Sequence, residues 1–354
     1  MPKKISLEYS KSRVDRAGIS LITKGSIDKD ESKDVLDNWR ACHTAALNSF
    51  QISLRQRLAK IDEKAIVSQR LKRSPSILSK LEREKSMRLS RMQDIGGIRA
   101  VVHDMKVLRK LIENYKHPTR PSRAFSLKPQ GKDYINFPKD SGYRSVHLLF
   151  KYIDGRWIEL QVRTNIQHAW ATAIETMGTY LSHALKSGEG PEEWLEFFSL
   201  ASSAFAIMEK TPRVPKHDSI EVEKLYSMLI EKEAELDVIK KLTGFKVATR
   251  HIDNGNSTGD YHLITLNMAT RRASIRSFKK SEVELANKEY SAKEEQISNG
   301  EELQVVLVTS ESLISLKKAY PSYFLDAELF IKQIEKIKKE QLRISPKHNT
   351  RLFS

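Results

Sequence analysis

The chain has 354 residues, 39% of them hydrophobic, with 14 Gly and 11 Pro, so it can build one large or two ordinary globular domains, each with its own core. Its mean hydropathy of −0.50, apolar runs far shorter than a membrane span, and first residues Met1-Pro-Lys-Lys-Ile-Ser without a signal-peptide core lead us to expect a soluble, cytoplasmic protein with no membrane partner. A single cysteine, Cys42, excludes an internal disulfide framework and a multi-cysteine zinc site, and the net charge of +16 points to an anionic partner.

In chain order, the N-terminal third reads as helical, with Val35, Trp39, Ala46 and Phe50 at helical intervals over Ser32 to Lys60. The charge excess is concentrated next: Arg55 to Arg91 holds twelve Lys or Arg against Asp62, Glu63, Glu82 and Glu84. Within that cluster lies RLKRSPSILSK, from Arg70 to Lys80, where Ser74 and Pro75 read as an N-cap and first helical residue. A helix from Pro75 to about Met87 would turn its positive end toward Arg70 and Lys72, a setting that favours phosphate.

The segment DIGGIRAVV, Asp94 to Val102, reads as a loop entering a strand, Asp104 to Lys116 as a helix, and Pro118 to Asp133 as a loop. Then comes KDYINFPKDSGYRSVH, Lys132 to His147, followed by IELQVRT, Ile158 to Thr164. A strand from Tyr143 to Phe150 would place Tyr143, Ser145 and His147 on one face and Val146, Leu148 and Phe150 on the other. The second strand divides in the same way, with Glu159, Gln161 and Arg163 opposed to Ile158, Leu160 and Val162. Whether the two polar rows share a face depends on the turn. A two-residue Asp154-Gly155 turn pairs Phe150 with Glu159 and separates the rows, whereas a three-residue loop over Asp154, Gly155 and Arg156 gathers them, with His147 opposite Arg163 and Leu149 opposite Gln161. The odd-numbered loop is the expectation.

Gln167 to Leu185 reads as a helix, and Thr211-Pro-Arg-Val-Pro-Lys-His-Asp218 as a linker. Beyond it, Ile220 to Leu242 is predicted helical, and Phe245 to Ile252, Tyr261 to Met268, Arg272 to Phe278 and Leu303 to Thr309 are predicted strands. Helices are predicted over Ser281 to Glu295, Glu311 to Ala319 and Ser322 to Lys339. The expected architecture is α/β (α+β): a helical region over 1–60, a mixed sheet flanked by helices over 61–212, and a second, smaller α/β regulatory domain over 220–354.

The four segments RLKRSPSILSK, DIGGIRAVV, KDYINFPKDSGYRSVH and IELQVRT, in this order, resemble the synthetase domain of the RelA/SpoT family over about Ser32 to Leu185. The resemblance implies an ATP-dependent pyrophosphokinase that moves the β,γ-pyrophosphate of ATP to a ribose 3′-hydroxyl, with Mg²⁺ as cofactor. It implies that Arg70, Lys72 and Lys80 hold ATP, with Arg99 or Arg109 as a second adenine contact, and that Asp94 binds the metal. Glu159 would complete the metal site or take the hydroxyl proton. Tyr143 would stack on the acceptor base, Lys132, Tyr134, Lys139 and His147 would contact its phosphates or ribose, and Gln161 and Arg163 would support them. His168 matches a family position, either as a contact or as an orienting group. His103-Asp104 and His217-Asp218 recur in the hydrolase half of long family members, but too little chain precedes Arg70 here to hold that domain.

Alarmone-making members of the resembled family usually have Asn two residues before the stacking tyrosine, where this chain has Ser141, a departure from the pattern implied for guanine-nucleotide acceptors. The C-terminal part, with Tyr320-Pro-Ser-Tyr-Phe324, resembles the CapRel-type fused toxin and antitoxin proteins of bacterial phage defence. That resemblance implies tRNA as acceptor, Tyr320 and Tyr323 as regulatory residues over the ATP site, and a phage protein as trigger. The alternatives are a small alarmone synthetase using GTP or GDP, and a basic RNA-binding protein without catalysis; no DNA partner is expected.

Overall fold

The computed structural model describes residues 7–181, 183–248, 250–253, 260–267, 269–270, 272–309 and 327–344. In chain order the elements are α1 (Lys11–Ile22), α2 (Lys29–Ala41), α3 (Thr44–Leu58), β1 (Ile66–Leu71), α4 (Ser74–Arg83), β2 (Gly96–Val102), α5 (Met105–Lys116), β3 (Phe125–Asp133), β4 (Val146–Tyr152) and β5 (Trp157–Thr164). There follow α6 (Asn165–Leu181), α7 (Glu192–Glu209), α8 (Val222–Leu236), α9 (Val238–Ala248), β6 (Arg250–Asp253), β7 (Tyr261–Asn267), β8 (Arg272–Phe278), α10 (Val283–Ser298), β9 (Leu303–Thr309) and α11 (Glu328–Ile344). The fold is α/β with a mixed sheet flanked by helices, as expected.

Among the described residues, the nine strands join one sheet, in the order β3-β4-β5-β2-β1-β9-β7-β8-β6. Strand β2 runs parallel to β5 and antiparallel to β1, and β9 lies antiparallel to β1 on its other side. The strands of the 220–354 segment therefore extend the sheet begun by β1 to β5. Contacts divide the chain into two compact units: Met1–Lys132, Val146–Thr164 and Thr249–Phe324 in the first, and Asp133–Ser145, Asn165–Ala248 and Leu325–Ser354 in the second.

In the first unit, the apolar face of β2, β4 and β5 presents Ile98, Ala100, Leu148, Phe150, Ile158, Leu160 and Val162, all buried. Helices α3 and α5 cover it, with the Phe50 ring 4.7 Å from Phe150 and the Tyr115 ring 5.0 Å from Phe150. A second cluster joins α1, α2 and α4 through Val14, Val35, Trp39, Ile77 and Leu81. Helix α10 packs Ala286 and Tyr290 against Leu263 of β7 and Val305 and Leu307 of β9. The second unit is helical around α7, where the Phe330 ring of α11 lies 6.2, 5.9 and 5.5 Å from Phe197, Phe198 and Phe205.

Several element boundaries differ from the sequence reading, each for a physical reason. The helical region expected over Ser32 to Lys60 is divided between α2 and α3 at Cys42 and His43, where the imidazole Nδ1 bonds the Trp39 carbonyl oxygen at 2.9 Å. The expected loop over Pro118 to Asp133 contains β3, whose sequence Phe-Ser-Leu-Lys-Pro-Gln-Gly-Lys-Asp lacks apolar alternation because it is an exposed edge strand, where proline is tolerated. Helix α7 went unpredicted: it is apolar around most of its circumference, so it carries little helical periodicity. The helix expected over Ile220 to Leu242 breaks at Asp237, whose φ is +51°. Phe245 to Ala248 is helical, so the strand expected from Phe245 starts only at Arg250. The helix predicted over Glu311 to Ala319 lies outside the described residues.

Truncating Phe330, which is fully buried, to Ala is expected to cost about 3–5 kcal/mol. Urea denaturation should show the midpoint falling accordingly.

Candidate active site

Strand pairing decides which polar side chains share a face. The β4–β5 hairpin closes on a three-residue loop over Ile153, Asp154 and Gly155, with Tyr152 N–H donating to the Arg156 carbonyl at 2.8 Å and Gly155 at φ +89°. The loop is odd-numbered, as expected, but lies one residue earlier. His147 consequently faces Gln161 rather than Arg163, and Leu149 faces Glu159 rather than Gln161. The polar rows still share a face, because a shift of two residues preserves the alternation.

The neighbouring strands extend that row. Glu159 lies beside Gly97, Gln161 beside Arg99, and Arg163 beside Val101; across the next pairing, Arg70 lies beside Gly97 and Ser68 beside Arg99. Arg70, Arg99, His147, Glu159, Gln161 and Arg163 thus belong to one face of the sheet, opposite the one packed by α3 and α5. Of the two candidate adenine contacts, Arg99 is on this face with Arg70, while Arg109 belongs to α5 on the other side.

Hydrogen bonds link the row. The Glu159 carboxylate accepts from His147 Nδ1 at 2.9 Å and from Gln161 Nε2 at 2.8 Å, and Gln161 Oε1 accepts from Arg163 Nη2 at 3.2 Å. Burial raises the Glu159 pKa, but the His147 hydrogen bond and charge, the Gln161 hydrogen bond and the Lys72 charge outweigh it and hold the group at about 2. Glu159 is therefore an anion throughout the neutral range, suited to a cation or an orienting hydrogen bond and weak as a proton acceptor.

Asp94 sits just before β2, and its two oxygens are taken by two ammonium groups: Lys72 Nζ at 2.9 Å from Oδ2 and Lys80 Nζ at 3.2 Å from Oδ1. Lys72 follows β1 and Lys80 is on α4, so three elements converge on one carboxylate that is 22% exposed. The N-terminal end of α4 differs from expectation. Arg73 is the N-cap and Ser74 the first helical residue; the Ser74 N–H and hydroxyl both donate to Glu294 of α10, each at 3.0 Å. That first turn is met by a protein carboxylate.

Asp94 and Glu159 offer hard carboxylate oxygens, and Mg²⁺ is commonly held by one or two carboxylates together with substrate phosphates, so the residues fit that ion. No cluster of three or more metal-ligating side chains occurs among the described residues. A cavity of about 310 Å³ in the first unit is lined by Lys11, Trp39, His43, Arg91, Arg156 and Trp157, among others, and by none of the candidate site residues.

The second unit holds the acceptor candidates Tyr134, Lys139 and Tyr143. Tyr143 and Ser145 precede β4 instead of lying in it, and the loop that carries them is tied to α7: Ser199 Oγ donates to the Asp140 carbonyl at 3.1 Å and Ser202 Oγ to the Gly142 carbonyl at 2.6 Å. Gly142 is required there, since its φ is +86° and an added Cβ would lie 2.7 Å from Ser202 Cβ. Arg144 Nη2 donates to Thr211 Oγ1 and the Pro212 carbonyl, both at 2.7 Å. The Tyr143 ring is edge-on to Tyr134 at 5.6 Å, with Lys139 Nζ 5.6 Å and Lys186 Nζ 5.4 Å from its centre. At 7% exposure the ring is largely covered, so a base stacking on it has to displace a neighbour. Lys186, ion-paired with Glu175, was not a sequence candidate, because no local pattern connects it to a ring 43 positions earlier. Lys132 is exposed, at the end of β3, and His168 is buried on α6. Tyr320 and Tyr323 lie outside the described residues.

Residues 69–184 match the family described as the region found in RelA / SpoT proteins. The GTP pyrophosphokinase YjbM of Bacillus subtilis is 34% identical over 143 residues, covering 36% of this chain and 60% of that one. The uncharacterized protein Rv1366 of Mycobacterium tuberculosis is 26% identical over 133 residues, 36% of this chain and 45% of its own length. The match thus spans about half the length of these curated relatives. Among solved structures, small alarmone synthetase 1 from Bacillus subtilis bound to pppGpp aligns with a TM-score of 0.40 and 25% identity, over 48% of this chain and 89% of that one.

The depressed Glu159 pKa sets a pH dependence. The folded value lies below the ordinary 4.5, so the Glu159 network stabilises the fold above that pH, and the contribution is lost as pH falls toward about 2. In His147→Ala the largest opposing influence is gone and burial raises the group. A ¹³C titration of the carboxyl carbon should show Glu159 titrating near or above 4.5 in the variant.

Proposed function

We propose that this chain, whose residues 69–184 form a RelA/SpoT-family synthetase domain, transfers the β,γ-pyrophosphate of ATP to a ribose 3′-hydroxyl. The observation that carries the reading is Asp94 held between Lys72 and Lys80, together with the ionised Glu159 on a row that includes Arg70 and Arg99. Two carboxylates and a set of cations on strands and a helix of this family form a receptor for a polyphosphate and its metal.

The two lysines are paired with Asp94 before substrate arrives. ATP phosphates would draw the ammonium groups from Asp94, freeing that carboxylate, with Glu159, to hold Mg²⁺. When bound, the ion neutralises phosphate charge and fixes phosphate orientation. Arg70 and Arg99, on one face, would hold the adenine by stacking. The acceptor 3′-oxygen bonds to the β-phosphorus, the bond from that phosphorus to the α-phosphate oxygen breaks, and AMP leaves. Such transition states are loose, so positioning and charge neutralisation carry most of the acceleration, and the hydroxyl proton can pass to water without a strong base. This favours the metal-holding role for Glu159 over the base.

For the acceptor we propose the 3′-terminal adenosine of tRNA, in a cytoplasmic toxin restrained by its own C-terminal segment. Ser141 in place of Asn removes an amide donor suited to guanine, and the basic run from Arg55 to Arg91 suits nucleic-acid phosphate. Tyr320 and Tyr323 are the proposed restraint and a phage protein the proposed trigger. The second reading, GTP or GDP as acceptor, is favoured by the pyrophosphokinase similarity of YjbM.

The test is γ-labelled ATP and Mg²⁺ with the full chain and either deacylated tRNA or GDP and GTP. Label in tRNA is the expected result; label in guanine nucleotide alone selects the second reading, and no label in either, with Tyr320→Ala and Tyr323→Ala also silent, overturns the proposal in favour of a binding protein. Asp94→Asn and Glu159→Gln should each lower the rate by about 100-fold or more. Tyr143→Ala should abolish transfer while leaving the far-ultraviolet circular dichroism unchanged.

A further inference from the structure

Arg40 of α2 and Glu294 of α10 form a buried ion pair, Nη1 to Oε2 at 3.0 Å, with their side chains 3% and 6% exposed. Neither residue falls within the matched family region, 69–184, and they are 254 positions apart in sequence. Arg40 Nη1 also pairs with Asp37 at 2.9 Å, and its guanidinium lies 5.1 Å from the Tyr290 ring centre. Burial is the largest single influence and opposes the Arg40 charge, but Glu294, Tyr290 and Asp37 together outweigh it and raise the pKa above its ordinary value.

What this pair grips is the link between β1 and α4. Arg40 Nε donates to the Lys72 carbonyl at 3.1 Å, while Lys72 N–H donates to the Ile95 carbonyl at 2.8 Å. Two residues on, Glu294 receives both the N–H and the hydroxyl of Ser74. Arg73, the N-cap, makes no side-chain capping bond, so Glu294 supplies from a distant helix the acceptor that a Ser, Asp or Asn would supply locally. Lys72 is thereby held at both backbone polar groups, and α4, which carries Lys80, is held at its first residue. Those are the two lysines that bracket Asp94.

We propose that Arg40 and Glu294 are positioning residues for the ATP site, fixing the Lys72–Ser74 link so that Lys72 and Lys80 converge where the triphosphate binds. The inference rests on the ATP role of those lysines proposed above. It assigns helix α10 a part in substrate binding, since the acceptor for the first turn of α4 comes from outside the family region.

The experiment measures steady-state kinetics, titration calorimetry with a non-hydrolysable ATP analogue, and amide hydrogen exchange over residues 70–80 in full-length Glu294→Ala, Glu294→Gln and Arg40→Ala/Glu294→Ala. In Glu294→Ala, KM for ATP and Kd for the analogue should rise about tenfold and kcat should fall by a smaller factor, as expected when a residue that does not itself touch the phosphates loosens the groups that do. Exchange at Ser74 should quicken while β2 stays protected. Glu294→Gln, which keeps an acceptor for the Ser74 N–H, should show a smaller rise of about threefold. The double variant should be no worse than Glu294→Ala, because both side chains act through one link. Unchanged analogue binding and unchanged exchange in a folded Glu294→Ala overturn the proposal. If that variant fails to fold, unchanged values in Glu294→Gln overturn it instead. Calorimetry and exchange need no turnover, so absence of pyrophosphate transfer in the parent chain would count against the proposed function and leave this test decidable.

Discussion

The register of β4, β5, β2 and β1 is the constraint on which the candidate site depends. Side chains alternate along a strand, so Arg70, Arg99, His147 and Glu159 share a face only while three successive pairings keep their parity. The opposite face meets Phe50, Tyr115 and Phe150, whose rings lie within 4.7 to 5.9 Å of one another. A slip of one residue in β5 would drive Glu159, Gln161 and Arg163 into that aromatic cluster, and an unpaired buried charge costs several kcal/mol. The packing that stabilises the sheet therefore also keeps the polar row in place.

Charge is balanced locally in a chain that is strongly basic as a whole. Each candidate carboxylate is held by more than one donor: Asp94 by two lysines, and Glu159 by an imidazole and an amide. Cationic side chains are thus ordered by protein carboxylates, which would reduce the entropy lost if they bind the polyphosphate proposed above. The same device recurs at the first turn of α4, where Glu294 takes the position that the helix dipole makes favourable for an anion. Arg40, the Lys72–Ser74 link, Asp94 and Glu294 come from different segments, yet the hydrogen bonds among them form a chain of direct contacts.

Much of the fold was readable where periodicity is strong. Helix α5, capped by Asp104, and strands β2, β5, β7, β8 and β9 lie where the alternation places them. The elements that escaped notice had weak patterns for identifiable reasons. The edge strand β3 has no alternation because solvent covers much of it, and α7 has little because apolar neighbours surround it. At the site, the odd-numbered hairpin loop was legible and its position was not, because Asp154-Gly155-Arg156 and Ile153-Asp154-Gly155 are both plausible three-residue loops. Lys186 and Glu294 carried no signal at all; nothing local to either one connects it to a tyrosine ring or to a helix start far away in sequence.

The sequence by itself determined which side chains alternate together, which segments resemble the RelA/SpoT family in their order, and where the positive charge is concentrated. These follow from backbone geometry and composition, which act over a few residues. Only the tertiary structure decided that His147 faces Gln161, that Lys72 and Lys80 close on Asp94 from either side, that β9 pairs with β1, and that the acceptor for the start of α4 comes from α10. Those outcomes depend on which distant surfaces bury each other with their polar groups paired, a condition that the whole chain satisfies together and that no short segment encodes.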